Sequence, residues 1–144
     1  MTRSQLYDAL ADCPLIAAVH ESDFDAALKS PVNIIFLLGG SLLTVKERIN
    51  SAHSAGKRIF IHVDLAEGIG KDRAGAEFLS LCGVDGIIST KASMIRAAKE
   101  FGIFAVQRFF ALDSQGVSSI SEMIESSKPD LIEIMPGIAT KVIE

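Results

Sequence analysis

The stretch from Arg58 to Gly70, RIFIHVDLAEGIG, places His62, Asp64 and Glu67 at the end of an apolar run and then dissolves into glycines. Carboxylates at this spacing accept hydrogen bonds from hydroxyls and attract cations, although two oxygen ligands make a weak metal signal. Three other apolar runs end in polar residues too: Ser89-Thr90-Lys91, Gln107-Arg108, and Glu133 followed by Pro136-Gly137. A lysine or arginine among carboxylates fits two chemistries. It can offset the charge of an anionic ligand. Alternatively, a buried Lys91 can act as electrophile or Schiff-base former, with Asp64 or Glu133 as general base. No nucleophile and base with diagnostic spacing accompany them, so catalysis has no independent support.

The elements that must position these groups follow from periodicity. Short runs rich in Ile, Val and Phe, at Leu15 to Val19, Asn33 to Leu38, Arg58 to Val63, Asp85 to Ser89, Ile103 to Arg108 and Asp130 to Met135, alternate with helix-period segments. That is the pattern of βα units feeding a parallel sheet. Apolar stripes at Leu42, Val45, Ile49 and Ala52, at Met94, Ile95, Ala98 and Phe101, and at Val117, Ile120 and Ile124 predict amphipathic helices. A short helix over Ser4 to Ala11 is expected before the first strand, and Gly56, Gly83 and Gly102 stand where helices stop.

Polar residues gather where strands end, as in α/β folds whose ligands lie beyond the carboxyl ends of the strands. The first strand closes in His20-Glu21-Ser22-Asp23, with no GxGxxG turn, and no Walker A loop occurs. The expected fold is therefore an α/β, TIM-barrel-like (β/α) barrel, incomplete because a closed barrel takes eight strands. Residues 1–144 are read as a single βα-barrel-like domain with about six parallel strands.

Strand alternation assigns faces. Phe60, His62 and Asp64 point inward, as does Glu133; Ser89 and Lys91 share a face; of Gln107 and Arg108 only one can aim at the axis, and Gln107 is grouped with the inward set. So polar an interior is either a satisfied cluster joining Lys91 to Glu133 or Asp64, or a ligand pocket. Convergence from four strands on the binding end of the barrel favours the pocket. The Gly39-Gly40-Ser41 turn offers either amides to a phosphate or a plain strand-to-helix connection. His53 reads as a solvated helix residue, and His20 is left between pocket and surface.

Other functions find little footing. No apolar run approaches the roughly 20 residues that span a bilayer, and MTRSQLYDALADCP lacks the apolar segment of a signal peptide, so a cytoplasmic, membrane-free protein is expected. Cys13 and Cys82 have no CxxC spacing, and neither metal nor cofactor is expected. With a net charge of −4, the nearest approach to a basic patch is Lys46, Arg48, Lys57 and Arg58, read as a solvated surface.

The segments FIHVDLAEGIG, DGIISTK, AVQRFFALDS and PDLIEIMPGI, in this order and at this spacing, resemble the GlpP family of glycerol uptake operon antiterminators, from about Pro14 onward. The resemblance implies a TIM-barrel-like regulator that binds glycerol 3-phosphate and acts on leader mRNA to prevent termination. It also implies a ligand site built from His62, Asp64, Glu67, Lys91, Gln107, Arg108, Glu133 and Gly137, with Gly68, Ser89, Thr90 and Pro136 at matching positions. The family usually closes its first strand with Lys or Arg where this chain has His20, and continues past PGI through a helix and two more strands. Open edges at the first and sixth strands predict a homo-oligomer. The alternative is a barrel enzyme acting on a small phosphorylated polyol or sugar.

Overall fold

The structure is a computed structural model that describes residues 1–110 and 114–135 of the chain. Helix α1 (Arg3–Asp12) leads into strand β1 (Ile16–Val19), and the pattern then repeats as α2 (Phe24–Lys29), β2 (Ile34–Leu37), α3 (Val45–Ser54) and β3 (Arg58–His62). It continues through α4 (Arg73–Leu81), β4 (Gly86–Ser89), α5 (Ala92–Glu100), β5 (Phe104–Phe110), α6 (Ser114–Ser127) and β6 (Leu131–Met135). All neighbours pair in parallel, in sequence order from β1 to β6. The sheet curls into an incomplete TIM-barrel-like fold, as the strand spacing predicts. No helix among the described residues is long and apolar enough to cross a membrane.

Two details depart from the sequence reading. Helix α2 has no counterpart in it, because six residues with only Phe24 and Ala27 buried cannot display a helical period. Leu42, expected on the apolar stripe of α3, lies in the preceding loop, 44 % exposed, and its amide donates to the Glu67 carbonyl. The stripe begins at Val45, with Ile49 and Ala52 buried behind it. The side chain of Val117 lies outside the described residues.

Alternation divides the strands between two apolar layers. On the outer face Ile35, Leu37, Ile59, Ile61, Val63, Ile87 and Ala105 pack with helix residues such as Val45, Ile49, Leu79, Met94 and Ala98. On the inner face Ile34, Phe36, Phe60, Ile88 and Val106 cluster with Leu6 of α1. Helix α1 is held across the amino ends of the strands: Asn33 Nδ2 donates to the Ala9 carbonyl at 3.1 Å, and Arg3 pairs with Asp130 at 2.9 Å. Its start is fixed by a capping box between Thr2 and Gln5.

Polar groups at the amino ends of the strands are tied to the main chain. Asp85, just before β4, accepts the Ile59 N–H at 2.9 Å, and Asp130, before β6, accepts the Ala105 N–H at 2.9 Å. His53, expected in solvent, instead meets Asp85 Oδ2 through Nε2 at 2.8 Å. The expected basic surface is likewise dispersed. Lys57 is buried and donates to the carbonyls of Ser30 and Val32, while Arg48 pairs with Glu21 and lies 5.3 Å from the Phe24 ring centroid. A buried ammonium must find acceptors, and two carbonyls near the end of α2 supply them.

Gly86 is where strand packing is tightest. A Cβ there would stand 2.5 Å from the Phe60 ring and 2.8 Å from the Phe104 carbonyl oxygen. Only glycine lets Phe60 fill the interior beside β4. Gly86→Ala should lower stability by about 1–3 kcal/mol, the usual range for overpacking, as measured by urea unfolding; a variant as stable as the parent would show that Phe60 has room to move.

Candidate functional site

The carboxyl ends of β3, β5 and β6 bring a small charged constellation together. Because Phe60 and Val106 lie on the inner face, His62 and Arg108, two residues further on, lie there too. The β5–β6 register sets Arg108 opposite Glu133. Their side chains form a two-point pair, Nε to Oε2 at 3.2 Å and Nη2 to Oε1 at 3.0 Å, with 15 % and 23 % of the side chains exposed. Such a fork satisfies both charges and fixes their orientation.

His62 is buried, at 2 % exposure, and neither ring nitrogen has a hydrogen-bond partner among the described residues. Burial chiefly, then the neighbouring Arg108 charge, pushes its pKa below the ordinary 6.5, against the opposing pull of Asp64 and Glu133. The ring is therefore neutral near pH 7, with one donor and one acceptor.

Asp64 follows β3 in a 3₁₀ turn, Val63–Leu65, and is firmly anchored. Its Oδ1 accepts from Ser89 Oγ at 2.7 Å, and its Oδ2 accepts from the N–H and hydroxyl of Thr90, each at 2.8 Å. Burial acts to raise its pKa, but the Thr90 amide and the two hydroxyls outweigh it and hold the carboxyl below its ordinary value. Ser89 also accepts the Lys91 amide at 3.0 Å, so Asp64 organises the whole β4 end. Sequence reasoning placed Ser89 and Thr90 at this strand end without seeing that they hold Asp64.

The remaining predicted residues scatter. Gln107 does not face the interior: alternation puts it with Ala105 on the helix side, where it is fully buried and accepts the Ser127 hydroxyl of α6. Lys91 is exposed at the start of α5, outside the alternation of β4, and pairs with neither Asp64 nor Glu133. Glu67 is exposed in a separate cleft of about 500 Å³ shared with His20, Gly39, Gly40 and Arg48. His20 closes that cleft through Nδ1, 3.0 Å from the Leu38 carbonyl oxygen. Gly137 lies outside the described residues. An anchored, acid-shifted Asp64 and an exposed Lys91 are not the poised base and buried amine on which the enzyme reading depends.

Comparison with known proteins agrees with this architecture. The family model of the glycerol-3-phosphate responsive antiterminators matches residues 15–144. The uncharacterized protein YgcP of Escherichia coli strain K12 is 40 % identical over 140 residues, 96 % of this chain and 73 % of that protein. A crystal structure of a glycerol uptake operon antiterminator-related protein from Thermotoga maritima superposes with a TM-score of 0.79 at 35 % identity, covering 88 % of this chain and 73 % of the other. The glycerol uptake operon antiterminator regulatory protein of Listeria monocytogenes gives 0.80 at 32 % identity, covering 86 % and 68 %.

The two shifted groups imply separate losses of stability in acid. Below pH 6.5 the unfolded chain takes up a proton on His62 that the folded chain resists, so stability falls from there toward the lower folded pKa. The stability contributed by Asp64 is intact above 3.8 and is lost as pH falls through its depressed folded value. Urea unfolding between pH 7.5 and pH 3 should show a first decline setting in near 6.5 that is missing from His62→Gln. Parallel curves for parent and variant over that interval would remove His62 as its source.

Proposed function

Because the chain belongs to the glycerol-3-phosphate responsive antiterminator family, we propose that it is a cytoplasmic regulator of glycerol metabolism. In this reading it senses glycerol 3-phosphate at the carboxyl ends of β3 to β6 and acts on a leader mRNA to prevent termination. The observation that carries the reading is the constellation of His62, Arg108 and Glu133, in which buried ring nitrogens without partners adjoin a charge pair. Neutral and anionic acceptors suit the hydroxyls of glycerol. The phosphate needs a cation, and Arg108 is already neutralised by Glu133, whereas Lys91 is exposed at the N-cap position of α5. Lys91 is assigned the phosphate on that ground.

Ligand that binds only the native state stabilises it by RT ln(1 + [L]/Kd), about 2.7 kcal/mol at a hundredfold excess over Kd. Millimolar glycerol 3-phosphate should raise the melting temperature while glycerol and inorganic phosphate leave it in place. An unmoved melt, or equal shifts with the controls, would remove the ester as the ligand.

A net charge of −4 is compatible with RNA when contact is local and directed at single-stranded loops. Lys71, Arg73 and Arg96 line the cleft between α4 and α5 together with Asp72 and Glu100, and Arg73 lies over the Phe101 ring at 4.9 Å while pairing with Glu100. Lys71 and Arg96, whose charges are not paired to Glu100 there, are the cations this proposal gives to the RNA. Retention of a glycerol-operon leader transcript on filters should weaken with salt and drop in the Lys71→Glu, Arg96→Glu double variant, with the ligand-induced melting shift unchanged. Retention equal to the parent's would move the contact elsewhere.

A further inference from the structure

We propose that His62 is the specificity-determining residue of this site, reading one hydroxyl of the ligand and thereby separating a glycerol phosphate from its deoxy analogues. The inference rests on the ligand reading given above and assigns a role within it.

The argument begins with what is already satisfied. The Asp64 carboxylate is occupied by Ser89 and Thr90, and Arg108 and Glu133 occupy one another. Among the described residues, the buried polar side-chain atoms left without partners on the inner face are the two nitrogens of His62. Level with them in the register stand Ile88 and, one strand further, Val106, and beneath them on the same strand face lies Phe60, none of which can hydrogen-bond through its side chain. The ring thus stands between an apolar floor and a rim of three charges: Asp64, Arg108 and Glu133.

A phosphate would call for a charged donor, and burial together with the Arg108 guanidinium disfavours an imidazolium here, against the pull of the Asp64 and Glu133 carboxylates. A neutral imidazole presents one N–H and one bare nitrogen, the complement of a hydroxyl, which both donates and accepts. A site built to hydrogen-bond a hydroxyl rejects the analogue that lacks it, because its own buried group is then left without a partner. Arg108 and Glu133, being partly exposed, are the neighbours able to shift as the hydroxyl arrives.

The test is calorimetric titration of the intact chain at pH 7.5 with glycerol 3-phosphate, with the monophosphate of propane-1,3-diol, and with the 1-phosphate of propane-1,2-diol. The parent should bind one of the deoxy esters about ten- to a hundredfold more weakly than the glycerol ester, the usual penalty for an unmet buried polar group. In His62→Phe that ratio should collapse toward one, while His62→Gln, which keeps a donor and an acceptor, should retain most of it. A parent that does not discriminate, or a Phe variant that discriminates as the parent does, overturns the role of His62 and leaves the ligand reading intact. Should the Phe variant not melt cooperatively, the parent and Gln ratios decide. A parent that binds none of the three esters overturns both.

Discussion

A parallel sheet covered on both faces leaves its strands no solvent side, so a polar side chain within a strand must find a partner or sit at a strand's end. Here the inner face is closed at its amino side by Leu6 of α1 and filled by Phe60, which reaches over Gly86 where any side chain would collide with it. The interior is thus dry through the level of Phe60; His62 enters one pleat later beside its apolar register neighbours Ile88 and Val106, and the charge pair of Arg108 and Glu133 comes one pleat beyond that. The position of the site follows from that packing. Charges in the layer below would have no acceptors, and their burial would cost more than pairing returns.

Within the polar layer the electrostatics are uneven in a useful way. Asp64 is fixed by three donors, two of them on Thr90, and serves to hold the β4 end in place. Arg108 and Glu133 satisfy each other with no main-chain partner among the described residues, so either can exchange its partner without giving up a bond of the strand ladder. His62 has no such claim on it among the described residues. Fixed, exchangeable and open groups therefore lie side by side at the ends of adjacent strands, an arrangement suited to recognising a small polar molecule.

How much of this was legible in the sequence depends on how far each periodicity runs. Strands rich in Ile, Val and Phe announced themselves, and the faces of Ile59, Phe60, Ile61 and His62 follow from alternation alone. On β5 the adjacent Gln107 and Arg108 were both polar, so pattern could not choose between them. Val106 on the inner face resolves it for Arg108, and Gln107 goes to α6. Lys91, grouped with the inward set, is exposed, and Glu67 lies in a separate cleft, for another reason. They stand past the ends of β4 and β3, at the start of a helix and after a 3₁₀ turn, where a two-residue period no longer says where a side chain points.

The same contrast separates structural from functional polar residues across the two ends of the barrel. At the amino ends, Asp85, Asp130 and Lys57 are bound to main-chain groups of neighbouring segments: the amides of Ile59 and Ala105 and the carbonyls of Ser30 and Val32. Those partners belong to the ladder and its turns, and giving one up would leave a buried backbone group unpaired. No ligand can replace them cheaply, which is why buried titratable groups such as Asp85 point to architecture and not to a site. At the carboxyl ends Asp64 alone of the inner charges is tied to a main-chain group, the Thr90 amide; Arg108 and Glu133 pair side chain to side chain, and the His62 ring has no partner among the described residues. A ligand hydroxyl or phosphate could substitute for such partners at little cost to the fold, so exchangeability of the partner, more than charge or burial, is the ground for proposing this end of the sheet as the binding end.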